Sequence, residues 1–294
     1  MVDGVLLLVS SKAGSTEQEA VDAARRVLAD AFDVETAAAG TPNELDAALD
    51  ACGERRLVVA GGDGSLHLVV GRLHARGELD RGPLGLIPLG TGNDLARALG
   101  LPLDPQEAAQ VVCGGTARPM DLLVDDAGGV VVNAVHLGLG ALAAEAAGRW
   151  KRWLGPLAYP LGAVRSGARA RTWRLRVTVD GRVLSDGRER LLMVGVGNGP
   201  GIGGGTPLLP EAMPDDGQLD VVVVRARRLR DRVAYAVALR RGEHVQREEV
   251  RYAQGRSVTV EGGPAEVNAD GELGESVVRR TWTVLPDAWS LTVP

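Results

Sequence analysis

Two apolar runs in the first third of the chain each end in a glycine-rich turn and then run into a helical pattern, and this doubled unit constrains the fold more than any other feature. The first run, Arg56-Leu57-Val58-Val59-Ala60, leads into Gly61-Gly62-Asp63-Gly64-Ser65. The second, Pro83-Leu84-Gly85-Leu86-Ile87, leads into Pro88-Leu89-Gly90-Thr91-Gly92-Asn93-Asp94-Leu95-Ala96-Arg97, where Asn93 or Asp94 is a natural helix N-cap. Turns at the C-terminal ends of parallel strands gather on one edge of an open sheet, where doubly wound folds bind ligands. Glycine permits φ > 0 and lets a ligand approach without meeting a Cβ, so the two turns read as a phosphate cradle. A carboxylate there repels phosphate, so Asp63 implies a bridging metal ion or a hydrogen bond to a nucleotide hydroxyl. Taken alone, Gly-Gly-Asp-Gly is also a good hairpin turn; the second glycine turn favours the cradle.

The surrounding pattern agrees. Strand-like runs at 5–9, 32–36, 57–60 and 84–87 alternate with helical runs at 16–30, 43–51, 65–76 and 94–99. Such alternation predicts an α/β domain, a parallel sheet with helices on both faces. From Arg118 the texture changes to closely spaced strands at 130–133, 173–179, 191–197, 219–224, 257–260, 265–269 and 282–285, with one helix at 231–240. That predicts an antiparallel β-sandwich or barrel. The expected division is 1–118 and 119–285, with 286–294 returning to the first domain as a strand.

At 294 residues the chain is long enough for two cores, and with 3% aromatic residues these must be built from Val, Leu and Ala. A net charge of −5 argues against a nucleic-acid partner. Cys52 and Cys113 have neither metal-ligand spacing nor a disulfide framework, which predicts a cytoplasmic protein. The apolar run after Met1-Val2-Asp3-Gly4 is too short for a signal peptide or a span. The uncharged stretch 127–144 reads as strand, turn and a helix over 139–147 rather than a membrane span.

From Arg149 to Arg176 there is no acidic residue, yet Arg149, Lys151, Arg152, Arg165, Arg169, Arg171, Arg174 and Arg176 are basic, interleaved with Trp150, Trp153, Trp173 and Tyr159. This composition suits peripheral contact with an anionic bilayer, at the inner face of the membrane for a cytoplasmic protein. A solvated basic face with tryptophans in the core is the competing reading.

With both glycine motifs in place, the chain resembles the diacylglycerol kinase catalytic-domain family, the bacterial lipid kinases related to sphingosine kinases and, more distantly, NAD kinases. The resemblance also rests on Asp121, on Lys151-Arg152-Trp153-Leu154-Gly155 with Tyr159, and on Gly203-Gly204-Gly205. It continues through Pro210-Glu211-Ala212-Met213-Pro214-Asp215-Asp216-Gly217-Gln218-Leu219-Asp220 to Asp270-Gly271-Glu272. It implies an N-terminal nucleotide domain, a C-terminal β-sandwich and a reaction in the cleft between them. By the same resemblance Gly61, Gly62, Asp63, Gly64, Ser65 and Thr91, with Asn93 and Asp94, hold ATP, and Thr36 contacts nucleotide. Ser10-Ser11-Lys12-Ala13-Gly14 matches the first nucleotide loop, with Ser10-Ser11 where relatives carry Asn-Pro and Lys12 within reach of phosphate. Ser65 stands for the usual Thr and His67 for the usual Asn.

Phosphoryl transfer needs positioning and charge neutralisation more than covalent chemistry. Mg²⁺ is therefore expected on Asp63, with Asp94 and Asp121 supporting it through water. Asp94 is equally readable as a plain cap, and Asp121 as the start of a strand. The acceptor hydroxyl needs a carboxylate within reach. Asp270-Gly271-Glu272 supplies two, on one face if the segment is a strand and at a tip if it is a turn. The resemblance makes Glu272 the base and Asp270 the second candidate. It also implies a separate structural cation held by the Asp216 carboxylate and the carbonyls of Met213 and Gln218. The implied activity is ATP-dependent phosphorylation of a lipid hydroxyl, diacylglycerol to phosphatidate, with a homodimer as the assembly. The alternatives are an NAD kinase and a non-catalytic nucleotide-dependent lipid-binding protein.

Overall fold

A computed structural model describes residues 4–10, 15–138, 172–225 and 228–294. The first half is a four-stranded parallel sheet in the order β2-β1-β3-β4, from β1 (Gly4–Val9), β2 (Asp33–Ala38), β3 (Arg56–Gly61) and β4 (Gly85–Pro88). Helices α1 (Ser15–Ala29), α2 (Pro42–Cys52), α3 (Asp63–Arg76), α4 (Asp94–Ala98) and α5 (Pro105–Gly114) connect and follow these strands. Local chemistry sets several helix ends. Thr41 caps α2 in a capping box with Glu44, and Asp104 caps α5, each followed by Pro at the first helical position. Gly77, at φ 68°, terminates α3 in the left-handed conformation.

Alternation puts Leu6, Leu8, Leu57 and Val59 on one face of this sheet and Val5, Leu7, Val58 and Ala60 on the other. The second face packs on α1 and α5. The first packs on α2 and α3, and its core also takes in Met120, Leu122, Val130, Val132, Trp289, Leu291 and Val293 from the rest of the chain.

That rest is an antiparallel β-sandwich. Its strands are β5 (Thr116–Asp125), β6 (Val130–Val131), β7 (Ala134–Gly138), β8 (Leu175–Val179), β9 (Arg182–Asp186), β10 (Met193–Gly197), β11 (Leu219–Val224), β12 (Val250–Gly255), β13 (Ser257–Ala269) and β14 (Glu272–Val293). The pairing path is β12-β11-β10-β7-β13-β14-β5-β6, with β8 on β13 and β9 on β8. One helix, α6 (Leu229–Leu239), lies between β11 and β12.

Three sequence expectations change. The runs 257–260 and 265–269 form one strand, because Gly262-Gly263-Pro264 makes a bulge with Gly262 at φ 151° instead of a turn. Likewise 282–285 and 289–293 are one strand, bent where Asp287 takes φ 50°. The expected boundary at residue 118 falls inside β5. The end of β14 reaches the parallel sheet, where the Leu84 N–H donates to the Ser290 carbonyl at 2.9 Å and the Thr292 N–H to the Leu84 carbonyl at 2.8 Å. The helix expected at 139–147 lies outside the described residues.

Candidate active site

Strands β3 and β4 end side by side, with Gly61 opposite Pro88. The two glycine turns that follow are in backbone contact. A Cβ on Gly62 would sit 2.8 Å from the Gly90 Cα, and one on Gly90 would sit 2.5 Å from the Gly62 Cα. The glycines are required by this close approach. The expectation that they supply φ > 0 is corrected, because the positive φ values fall on Asn93 (51°) and on Gly203, Gly204 and Gly205 (60°, 91° and 95°). Gly90→Ala is accordingly expected to force the two loops apart, at a cost of about 1–3 kcal/mol in urea unfolding and with weakened nucleotide binding by calorimetry.

The helix-capping expectation is also corrected. Asn93 holds the N-cap position of α4 but makes no side-chain cap. Its Oδ1 accepts from the Gly90 N–H at 2.9 Å and its Nδ2 donates to the Gly90 carbonyl at 2.8 Å, which braces the turn. The cap comes from the other loop. The Asp63 carboxylate accepts the N–H groups of Asp94 (3.1 Å) and Leu95 (3.3 Å). Burial raises the pKa of Asp63 and the Asp94 N–H lowers it, while the charges of Asp94 and Asp270 add to the rise. Asp94 is itself buried and accepts from Gly204 (3.0 Å) and Gly205 (2.6 Å), drawing the 203–205 turn over the cradle. A chain of carboxylate-to-amide bonds thus joins three loops that are remote in sequence.

The hairpin between β13 and β14 closes the site. Ala269 pairs with Glu272, and Asp270 and Gly271 take φ 49° and 90°, which makes a two-residue turn of the type I′ kind. Asp270 and Glu272 therefore do not share a strand face, and their environments diverge. The Asp270 side chain is 1% exposed and accepts the N–H groups of Val132 (2.8 Å), Asn133 (2.9 Å) and Ala134 (2.9 Å), and it also pairs with His67 Nδ1 (2.8 Å). Glu272 is exposed and makes no hydrogen bond or ion pair among the described residues. Its Oε1 lies 4.0 Å from where a Cβ on Gly64 would be, beside the first turn of α3. Burial lowers the His67 pKa, but the hydrogen bond and charge of Asp270, with the charge of Glu272, outweigh it and leave it raised.

The other predicted nucleotide residues are spread along the same edge. Ser65 is half-buried in the first turn of α3, and Thr91 is exposed on the second glycine turn. Thr36 is exposed within β2, which runs on to Ala38, so it does not end its strand as expected. Ser10 follows β1; Ser11, Lys12 and Gly14 lie outside the described residues, as do Lys151, Trp153, Tyr159 and most of the basic stretch. Sequence reasoning missed Asn133 and Asn198. The Asn133 Nδ2 donates to the Gly201 carbonyl (2.6 Å) and the Asn198 Nδ2 to the Asp121 carbonyl (3.0 Å), and neither residue sits in a recognisable motif.

Asp121 belongs to a second cluster. Its carboxylate accepts from Gly217 (2.6 Å) and Asp287 (3.0 Å), and its N–H donates to the Pro214 carbonyl (2.8 Å). Asp216 accepts from the Gln218 N–H at 2.9 Å, and Met213 is exposed. Among the described residues no group of three or more His, Cys, Asp or Glu is arranged to hold a metal. Beside this loop Asp220 is fully buried, and burial pushes its pKa up to about 6, against the hydrogen bond from Tyr252 Oη. Because the folded value lies above the unfolded 3.8, the native state holds this proton more tightly, and stability falls as pH rises through about 6. Asp220→Asn is expected to flatten that fall and to melt at a higher temperature at neutral pH, with about 3 kcal/mol as the ceiling.

The fit of this chain to known proteins runs through both halves. Residues 4–124 match the model of the diacylglycerol kinase catalytic domain, and residues 133–293 match that of the YegS C-terminal NAD kinase beta sandwich-like domain. A diacylglycerol kinase of Bacillus subtilis (strain 168) is 34% identical over 222 residues, covering 74% of this chain and 71% of the relative. One from Staphylococcus haemolyticus (strain JCSC1435) is 31% identical over 254 residues, covering 82% and 73%. The structure of a putative diacylglycerol kinase from Bacillus anthracis str. Sterne is similar with a TM-score of 0.79 at 26% identity, covering 99% of this chain and 97% of that one. No helix among the described residues is long and apolar enough to cross a membrane. With family models matching both the parallel-sheet half and the sandwich, and relatives at 30% identity or more along most of its length, the chain belongs to the diacylglycerol kinase family and is a lipid kinase, a phosphotransferase acting on an alcohol group.

Proposed function

We propose that this kinase transfers the γ-phosphate of ATP to the hydroxyl of diacylglycerol, giving phosphatidate, and that Glu272 is the base. The observation that carries the reading is the contrast at the β13–β14 hairpin. Asp270 is buried and fully engaged, whereas the neighbouring carboxylate is exposed and unpartnered beside the first turn of α3. A helix N-terminus with two bare glycine loops favours bound phosphate, since its free N–H groups and dipole attract negative charge. Glu272 accepts the acceptor hydroxyl's proton as the oxygen bonds to phosphorus, and the ADP oxygen leaves in line.

ATP phosphates suit the two glycine turns, whose backbone carries no side chain to hold a ligand away. Mg²⁺ would shield their charge, with Asp63 as its protein ligand and Asp94 holding the neighbouring turn; a kinase Mg²⁺ takes one or two carboxylates and otherwise phosphate and water oxygens. The Asp216 loop is the second cation position. Millimolar Mg²⁺ or Ca²⁺ is expected to raise the melting temperature of the native protein and not of Asp216→Asn; an equal rise in both removes that site. The lipid arrives from a bilayer, against which the basic stretch at 149–176 places the protein.

The activity is tested with γ-labelled ATP and Mg²⁺ on anionic mixed micelles carrying diacylglycerol, ceramide or sphingosine in turn, with NAD in a parallel reaction. Label in diacylglycerol, absent with Glu272→Gln, is expected. Label in another lipid reassigns the acceptor, and label in NAD overturns the lipid reading.

A further inference from the structure

The ring of His67 has one nitrogen locked and the other free. Asp270 accepts four hydrogen bonds, two at each oxygen: the Asn133 and Ala134 N–H groups on Oδ1, the Val132 N–H and His67 on Oδ2. A carboxylate offers about four such positions, so all are taken and the ring must donate through Nδ1. Fixing Nδ1–H in this way also fixes the ring plane and leaves Nε2 as the nitrogen that gains and loses the proton. Nε2 makes no hydrogen bond among the described residues. The His67 side chain keeps 23% of its surface exposed, against 1% for Asp270.

The free nitrogen shares its surroundings with Glu272. Gly64 and His67 are three positions apart on α3, which puts them on one helix face, and helical side chains lean toward the N-terminal turn. Glu272 Oε1 stands 4.0 Å from where a Cβ on Gly64 would be, over that same turn. Its charge acts on the ring without bonding to it. Of the other groups at this joint, residues 132–134 meet Asp270 through backbone N–H groups, and Asp63 is turned to the N–H groups of Asp94 and Leu95. Asn, which the family resemblance makes usual at position 67, reaches no further than Nδ1. The histidine adds Nε2 beside a helix N-terminus that favours phosphate.

Resting on Glu272 as the base and ATP as the phosphoryl donor, we propose that His67 is a further catalytic residue, its Nε2–H donating to the phosphoryl oxygens during transfer. The ring keeps its proton throughout. The acceptor oxygen bonds to phosphorus as the bond to ADP breaks, and the hydroxyl proton goes to Glu272. Charge spread over the phosphoryl oxygens meets a donor already fixed in place, which lowers the barrier. A ring that has lost its second proton turns a lone pair to those oxygens instead. Transfer therefore weakens as pH rises through the His67 value, which lies above 6.5.

The test is single-turnover transfer of γ-label to the acceptor lipid from neutral to alkaline pH, for the native protein, His67→Asn and Glu272→Gln. His67→Asn keeps an N–H for Asp270 and removes Nε2, and its urea midpoint at alkaline pH checks that the joint survives. The native rate is expected to fall roughly tenfold or more as pH rises, the scale of one hydrogen bond to a charged group. His67→Asn is expected to start at the lower rate and stay there, with the ATP dissociation constant unchanged. Equal rates in the two proteins, an alkaline fall that persists in His67→Asn, or a His67-dependent rise overturns the proposal. Glu272→Gln separates the two readings, since a full rate with the alkaline fall intact removes the base and supports His67. A second measurement needs neither a variant nor an acceptor. ADP with aluminium fluoride, a stand-in for the phosphoryl group in transfer, is added with Mg²⁺ while the His67 ring nitrogens are followed by NMR. Nε2 is expected to hold its proton to higher pH, and an unchanged titration overturns the proposal.

Discussion

Glu272→Gln is expected to lower kcat by about 10²–10⁴-fold, the range for removing a general base, while the dissociation constant for ATP stays unchanged. The substitution keeps the size of the side chain and breaks no hydrogen bond among the described residues, because the carboxylate makes none. A folding defect is therefore not a route to the loss. Single-turnover transfer and calorimetric ATP binding on the same preparation check it. Full activity in Glu272→Gln removes this residue from the chemistry.

Asp270→Asn is expected to act on stability first, by about 3–5 kcal/mol in urea unfolding, the cost of breaking a buried pair from one side. Asn tolerates the left-handed backbone at this position, so the turn itself survives. The cost comes from hydrogen bonding. Three backbone N–H groups and His67 converge on two carboxylate oxygens, and an amide replaces one of those acceptors with a donor. Against a typical total of roughly 5–15 kcal/mol, this is a large fraction. The same variant separates the two carboxylates. An unchanged unfolding midpoint with lost turnover would make Asp270 the base and Glu272 its neighbour.

His67 gives the pH dependence of the same joint. Its folded pKa is raised above 6.5, so the stability it contributes is complete below that value and is lost as pH rises through the raised value. His67→Asn is expected to remove that slope in thermal melts taken across the range.

The repeated strand–glycine–helix pattern was enough to place the parallel sheet, the two turns at one edge and the candidates Asp63 and Asp94, since periodicity and turn composition are local properties; Asp270 and Glu272 became candidates only through the family resemblance. The division of labour among those residues was not local. Asp63 caps a helix that starts thirty-one positions later, and Asp94 holds a turn more than a hundred residues away. Asp270 is sunk beneath the backbone of 132–134, while Glu272, two positions on, stands in the open. Residue type and spacing determine that the two glycine turns, with Asp63 and Asp94, gather at one edge of the sheet. Which carboxylate is buried, which is free and which glycines touch depends on long-range backbone approach, and only the tertiary structure decides that, because burial and hydrogen-bond partners are set by segments the local sequence does not encode.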